Sequence, residues 1–464
     1  MRSRMAGLRW SGACVLGAAG LAGLVAAVLA PSVGGGLSAP SVAAASGVGG
    51  ASPTAPAGTL GPSGPTGPAT LPRPSATSGA LRAHLGYEMH LSGRQSGAYV
   101  YDLTSNQVLF SERASTPHPP ASVEKLYTAT TALARMGPQA RLVTAVYGSG
   151  QLEPGGVWHG NLYLHGGGDP TFGSQQFIRS HYAGVGASVQ SLAAHLHAAG
   201  LRRVTGRIEG DESYLDTRRG EPSSAYGFDP YLEGVLSGLA FNRGEAGTHS
   251  GPHAPAEQAA QQLASALRVD HVAVHGPAGA AVTPPGSVVL AEAPSPTVAQ
   301  LLGLMLPPSD NFFAEMLVKD LGVRFGGAGT TSAGSTVVRQ TMASLVGIHP
   351  HVVDGSGLSR EDRTSPEEVV KLLGFLDPSP LGPYMREALA VAGRSGTLAD
   401  RMLNSPATGR CRAKTGTLTG VSNLAGFCES ASGDLIAFAF FNDGIGTEAA
   451  HTIQDNMGIT IARY

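Results

Sequence analysis

Apolar positions along the chain change their period several times, and each change predicts an element. Gly97-Ala98-Tyr99-Val100-Tyr101 and Gln107-Val108-Leu109-Phe110 are short β-prone runs. Asp102, Thr104, Ser105 and Asn106 between them are turn formers, so the pair predicts a hairpin. Past the breaker Pro117-His118-Pro119-Pro120, Leu126, Ala129, Leu133 and Met136 recur at helical spacing. They predict a helix over 121–136, stopped by Gly137-Pro138. From about 140 to 285 the texture shifts to short strand-like pieces such as 157–164, parted by glycine-rich turns such as 166–170. One helix stands out there, over about 189–199. Helical spacing returns over 297–305 and 311–321, and Ser365-Pro366-Glu367-Glu368 opens a further helix with Ser as N-cap and Pro at its first position. Three strand-like runs, 410–417, 424–429 and 435–442, then suggest an antiparallel meander. The chain shows no internal repeat.

Composition narrows this to a class. A chain of 464 residues with 42% hydrophobic content has room for two or three domains with real cores. Charged residues are 14% of the chain and the net charge is −2, which leaves no electrostatic footprint for nucleic acid. Arg2, Arg4 and Arg9 precede an uncharged run from Ser11 past Ala30, with Cys14 inside it, and small residues follow at 41–45. Residues 1–45 therefore read as a signal peptide or a membrane anchor. Residues 46–82, mostly Gly, Ser, Pro, Thr and Ala and nearly free of charge and aromatics, bury too little apolar surface to order themselves and read as a disordered linker. The expected division is then a catalytic domain over 83–147 and 285–464, interrupted by a mainly β inserted module over 148–284. Cys411 and Cys428 lie equally far from a hairpin turn at Thr419-Gly420 and would face each other. In an oxidising compartment they are expected to pair, with two free buried thiols as the alternative.

Three short motifs carry chemistry. Ser122-Val123-Glu124-Lys125 stands at a helix start, and a spacing of three puts Lys125 over Ser122 on one face. A serine hydroxyl needs a base, and a lysine neutralised by burial supplies one. The helix N-terminus adds N–H groups for a developing oxyanion. Ser309-Asp310-Asn311 precedes another helix; Ser309 suits a proton relay to a leaving amine, and the Asn311 amide can hold a peptide group. Lys414-Thr415-Gly416-Thr417 falls on a strand, where Lys414 and the threonine hydroxyls suit a free carboxylate and Gly416 allows close backbone approach. Each motif alone is common. The trio, in this order and these settings, is the signature of penicillin-recognising serine enzymes.

The chain resembles one family of these, the class C low-molecular-mass penicillin-binding proteins, which are D-alanyl-D-alanine carboxypeptidases/endopeptidases. Besides the trio, the resemblance rests on Pro120-Ala121-Ser122 running into Lys125-Leu126-Tyr127-Thr128, and on Gly167-Gly168-Asp169-Pro170-Thr171. Asp354-Gly355-Ser356-Gly357-Leu358, Gly396-Thr397-Leu398 before Arg401, and Asn423-Leu424-Ala425-Gly426 add to it. It spans about 85–464. The wide gap between Ser122 and Ser309 fits the insertion that this family carries, although it looks shorter than in the larger members. Glu124 departs from the usual uncharged residue; off the Ser122–Lys125 face, it is expected to matter little.

The resemblance implies an α/β (α+β) penicillin-binding/β-lactamase-like fold, an antiparallel sheet flanked by helices. It also implies acyl transfer through Ser122, Lys125 and Ser309, with Asn311, Lys414, Thr415, Gly416 and Thr417 binding substrate. Backbone N–H groups of Ser122 and Thr417 would form the oxyanion hole. The implied partners are peptidoglycan stem peptides, with β-lactam antibiotics as inhibitors, and the membrane only through an uncleaved N-terminal segment. No cofactor or metal is expected, since His195/His197 and His349/His351 lack a ligand set around them. The segment 354–359 reads as a structural turn. Two rival readings are a β-lactamase, which would need a deacylating carboxylate of the Glu-x-x-Leu-Asn kind that the chain lacks, and a non-catalytic wall-binding or β-lactam-sensing protein.

Overall fold

The computed structural model describes residues 75–244 and 255–464. The segment read as a signal or anchor, and most of the linker, lie outside the described residues. The linker reading needs one correction: helix α1 (Ser75–Ser92) begins inside 46–82. Leu81, Leu85 and Met89, spaced four apart, give this helix a buried face.

Strands β1 (Gly97–Asp102) and β2 (Gln107–Glu112) form the expected hairpin. A 3-10 turn (Ala121–Glu124) leads into α2 (Lys125–Arg135). The module then opens with β3 (Val143–Glu153) and β4 (Val157–His165). Helices α3 (Gln175–Tyr182) and α4 (Val189–Ala198) follow, then the short strands β5 (Arg203–Val204) and β6 (Ile208–Asp211). Helix α5 (Pro255–Val269), strands β7 (Ala273–Val274) and β8 (Gly279–Ala280), and β9 (Val288–Pro294) complete it. Its sheet runs β7-β5-β4-β3-β9, with β6 and β8 beside the second half of β4. The module therefore reaches past both expected edges, 148 and 284, because β3 and β9 are its own strands. Among the described residues it also holds three α-helices where the sequence showed one. Its core joins Trp158, Leu162 and Leu164 of β4 to Leu192 and Leu196 of α4 and Leu263 and Leu267 of α5.

The chain returns through α6 (Val298–Met305), α7 (Asn311–Gly326), α8 (Thr331–Val346), α9 (Pro366–Leu376) and α10 (Gly382–Ala388). The final elements are β10 (Ala390–Val391), β11 (Cys411–Leu418), β12 (Val421–Glu429), β13 (Leu435–Asp443) and α11 (Thr447–Arg463). They build a six-stranded antiparallel sheet of order β10-β11-β12-β13-β1-β2. The near-continuous apolar run of β13 is buried on both faces: Ala437, Ala439 and Phe441 meet the cluster around α2, α7 and α9, and Phe438 and Phe440 meet α1 and α11. Helix α7, buried for most of its length, is the central post. Helix α8 approaches it through glycine: a Cβ on Gly334 would stand 1.8 Å from the Val318 carbonyl oxygen.

The module is not held apart. Ile178 and Tyr182 of α3, and Leu215, Leu232, Leu236 and Ala240 of the segment after β6, belong to the same apolar cluster as α2 and α7. No helix among the described residues is long and apolar enough to cross a membrane.

Candidate active site

The three motifs meet where the 3-10 turn, the start of α7 and strand β11 converge. Ser122 sits in the turn, and Ala121 before it takes φ 48°, a left-handed value that a residue with a Cβ adopts only under constraint. Asn423 of β12 supplies that constraint by donating its Nδ2–H to the Pro119 and Pro120 carbonyls, both at 2.9 Å. Gly416 supplies more: a Cβ there would lie 2.5 Å from the Pro120 carbonyl oxygen and 3.2 Å from the Ser122 nitrogen. The close approach at Gly416 is thus made by the chain's own turn, whereas the sequence suggested substrate.

Lys125, the first residue of α2, is fully buried. Its Nζ lies 2.9 Å from Ser122 Oγ, 2.6 Å from Asn311 Oδ1 and 2.7 Å from the Ser356 carbonyl oxygen. Burial pulls its ammonium down to about 8, although Asp354, Glu315, Glu124 and Glu233 all push the other way. At the second lysine, Lys414, burial and the neighbouring Lys125 charge hold the ammonium well below its ordinary range, and it donates to the Thr415 carbonyl at 2.8 Å. The Thr415 and Thr397 hydroxyls hydrogen-bond at 2.8 Å, and the Thr397 N–H reaches the Pro307 carbonyl at 2.9 Å, which fastens β11 to the Ser309 loop. Thr417 is exposed. Strand β10 pairs with β11 only at Ala413 and Arg412, so from Lys414 onward β11 presents an open edge among the described residues.

Ser309 is half-buried and takes φ 68°, a second left-handed residue in the cleft. Asp310 caps α7 by accepting from the Phe313 N–H at 3.0 Å and forms a buried ion pair with Arg243 of the module. Arg243 in turn donates to Tyr182 Oη at 2.8 Å and to the Glu233 carbonyl at 3.1 Å. Asn311 Nδ2 donates to the Tyr231 carbonyl at 2.8 Å. The module therefore forms one wall of the cleft.

Two expectations change. The segment 354–359 is no mere turn, since its Ser356 carbonyl is an acceptor of Lys125. Glu124 lies off the Ser122–Lys125 face as expected, but it is fully buried with neither carboxyl oxygen hydrogen-bonded. Burial, then Asp362 and Asp354, push its carboxyl well above the usual range. Thr397, Asn423, Ser356 and the Tyr231 carbonyl were missed as site groups; Thr397, Asn423 and Ser356 stood in stretches that the resemblance had marked, and Tyr231 did not. Elsewhere on β11, Cys411 faces Cys428 across the hairpin and the two form a disulfide.

A fold with two faces covered by helices, a buried lysine on a serine and an open strand edge defines a penicillin-recognising serine hydrolase. Sequence comparison goes further: residues 78–229 and 240–464 match the D-Ala-D-Ala carboxypeptidase 3 (S13) family, and the chain belongs to it. It is a serine-type DD-peptidase, a low-molecular-mass class C penicillin-binding protein. A D-alanyl-D-alanine carboxypeptidase of Actinomadura sp. is 29% identical over 457 residues, covering 81% of this chain and 82% of its own. The crystal structure of penicillin binding protein 4 from Haemophilus influenzae aligns with TM-score 0.68 at 21% identity, over 82% of this chain and 99% of its own. A second structure of that protein, complexed with a β-lactam, aligns with TM-score 0.62 at 21% identity, over 80% of this chain and 97% of its own.

Proposed function

We propose that Ser122 is the nucleophile of this DD-peptidase and Lys125 its base, acting on the D-alanyl-D-alanine ends of peptidoglycan stem peptides outside the cytoplasm. The observation that carries this reading is the 2.9 Å hydrogen bond between Ser122 Oγ and a buried Lys125 pulled down to about 8. Such an amine is neutral often enough at neutral pH to take the serine proton. Ser122 oxygen then bonds to the penultimate carbonyl carbon, and the oxyanion lies against the Ser122 and Thr417 N–H groups. The peptide lies along the open edge of β11 as an added strand, its amide held by Asn311. Its terminal carboxylate meets Lys414, Thr415 and Thr417. As the C–N bond breaks, the proton passes from Lys125 through the Ser309 hydroxyl to the departing D-alanine amine. Water then hydrolyses the acyl-enzyme and restores the serine. A β-lactam enters the same path, but its opened ring stays attached and slows hydrolysis. The N-terminal segment, basic then apolar then small, would deliver the enzyme to the cell envelope.

Incubation with benzylpenicillin, followed by intact and peptide mass spectrometry, tests this. A stoichiometric, slowly decaying adduct on the Ser122 peptide, absent from Ser122→Ala, is expected. Folded protein with neither adduct nor drug turnover would overturn the reading.

A further inference from the structure

The hydrogen-bond partners of Lys125 decide which groups make it a base, given the acyl-transfer reading above. A neutral amine has two N–H groups and one lone pair. Of its three partners, Asn311 Oδ1 and the Ser356 carbonyl can only accept, and the Ser122 hydroxyl can donate. Two N–H groups committed to two fixed acceptors leave the lone pair aimed at the serine proton. We propose that the Ser356 carbonyl is a positioning group for Lys125, and that Glu315 and Asp354 are the positioning residues that hold it there.

The loop that carries this carbonyl is fastened from beneath. Glu315 Oε1, on α7, accepts from the Gly355 and Ser356 N–H groups, both at 2.9 Å. Asp354 Oδ1 accepts from Ser356 N–H at 3.1 Å and Gly357 N–H at 2.7 Å, and its Oδ2 accepts from Ser359 N–H at 2.7 Å. Thr128 of α2 donates its hydroxyl to the Gly355 carbonyl at 3.0 Å, so the helix carrying Lys125 also grips the loop. Glu315, Asp354, Ser356 and Thr128 are all fully buried. The loop has no room to slide: a Cβ on Gly355 would meet the Ala314 carbonyl oxygen at 2.7 Å, and one on Gly357 would meet the Ala121 carbonyl oxygen at 1.9 Å. Two carboxyl groups thus satisfy four loop N–H groups, and the loop's one carbonyl at the chemistry is left for Lys125.

The charges around Lys125 agree with a placing role. Glu124 faces it from its own turn, Glu315 from α7, Asp354 from the loop and Glu233 from the module. Lys414 stands on β11, and Asp362 and Glu221 lie behind, against Asp354 and Glu315. Full ionisation of these acids would lock Lys125 as an ammonium. Burial and the neighbouring Asp354 push the Glu315 carboxyl up to about 8, which keeps it largely neutral while it still accepts both N–H groups.

The test measures benzylpenicillin acylation of the full chain by stopped flow, separating the non-covalent binding constant from the acylation rate constant. Glu315→Ala frees the loop and is expected to lower the acylation rate constant about 100-fold with binding unchanged, the cost of a catalytic group displaced by about an ångström. Glu315→Gln, whose amide oxygen can accept the same two N–H groups, is expected to stay close to the parent rate. A folded Glu315→Ala with the parent rate constant would overturn the proposal, and so would a Glu315→Gln as slow as a catalytically impaired Ala variant. Should Glu315→Ala not fold, Thr128→Val takes its place, with loss of rate at unchanged binding expected and no loss overturning the proposal. A parent protein that forms no Ser122 adduct would instead overturn the acyl-transfer reading, and this inference with it.

Discussion

On the Lys125 side of the cleft the polar groups are buried and held from beneath, whereas the wall that the module contributes carries an exposed ring, Tyr231, beside buried groups such as Arg243 and Leu232. Lys125, Glu315 and Asp354 are all fully buried. Tyr231, across the cleft, is 73% exposed. The first wall fixes atoms to within hydrogen-bond tolerance, as bond-making requires. The second holds Arg243, Asp229 and Leu232 in place but leaves the Tyr231 ring free for whatever a peptide brings. The contrast predicts that substitutions of the buried, fastened groups act on rate or stability, and that those of exposed side chains such as Tyr231 act on neither.

The largest effect is expected at Lys125. Replacing it with Met removes the proposed base and should lower acylation by about 10²–10⁴-fold. In the parent protein the rate should rise with pH and level off above about 8, because the neutral amine is the active form and accumulates as pH passes the value to which burial lowers it. Acylation by a neutral-pH pulse and over a pH series checks both statements. A Lys125→Met variant that kept this rise would assign the limb to another group.

Next comes Arg243, where the two walls join. Its guanidinium and Asp310 are both buried and paired. Arg243→Met would leave the buried Asp310 without its cationic partner, and loss of one member of such a pair costs about 3–5 kcal/mol. Urea unfolding should show that loss, together with slower acylation because Asp310 precedes Asn311 and caps α7. A double variant, Arg243→Met with Asp310→Asn, should recover part of the stability.

The disulfide ranks third. It closes a sequence separation of 17, and a loop of that size is worth about 3 kcal/mol in the chain-entropy account. Cys411→Ala/Cys428→Ala should lower the unfolding midpoint and leave acylation nearly unchanged, since the hydrogen bonds that place Ser122 come from Asn423 and Lys125. A large fall in acylation at unchanged stability would show instead that the bridge sets the position of Lys414.

What was legible in the sequence follows the same division between local and assembled. The hairpin turn at Thr419-Gly420 fixes a register in which Cys411 opposes Cys428, and a two-residue turn is a local signal. Ser365 and Pro366 announced their helix because a cap is made within one turn. The Ser122–Lys125 pairing needed only helical spacing. By contrast, helix α8 meets α7 through Gly334, and Thr331, Ser335 and Thr341 share its buried face, so that face carries few large apolar residues to count. Helix α5 was hidden for a related reason, alanines making up much of its buried side. The Ser356 and Tyr231 carbonyls are backbone groups brought in from distant segments, and no residue type marks them. The ion pair of Arg243 with Asp310 spans the module boundary, which the sequence drew inside the module's own sheet.

The smallest effect, and the sharpest test of the contrast, is Tyr231→Ala. Tyr231 lies on a wall that touches Asn311, so proximity alone would rank it beside Lys125. Yet what touches Asn311 is its carbonyl, and its N–H is held by Asp229 Oδ1 at 2.8 Å, so the backbone stays in place without the ring. The ring itself is 73% exposed, and loss of such a side chain changes stability by about 0.5 kcal/mol or less. Acylation by benzylpenicillin should likewise hold, because the Asn311 side chain keeps both its partners, Lys125 and the Tyr231 carbonyl. Melting temperature and acylation rate, measured side by side with the parent, decide it. A marked loss of either would mean that the exposed wall is as tightly built as the buried one, and the division of labour between them would fall.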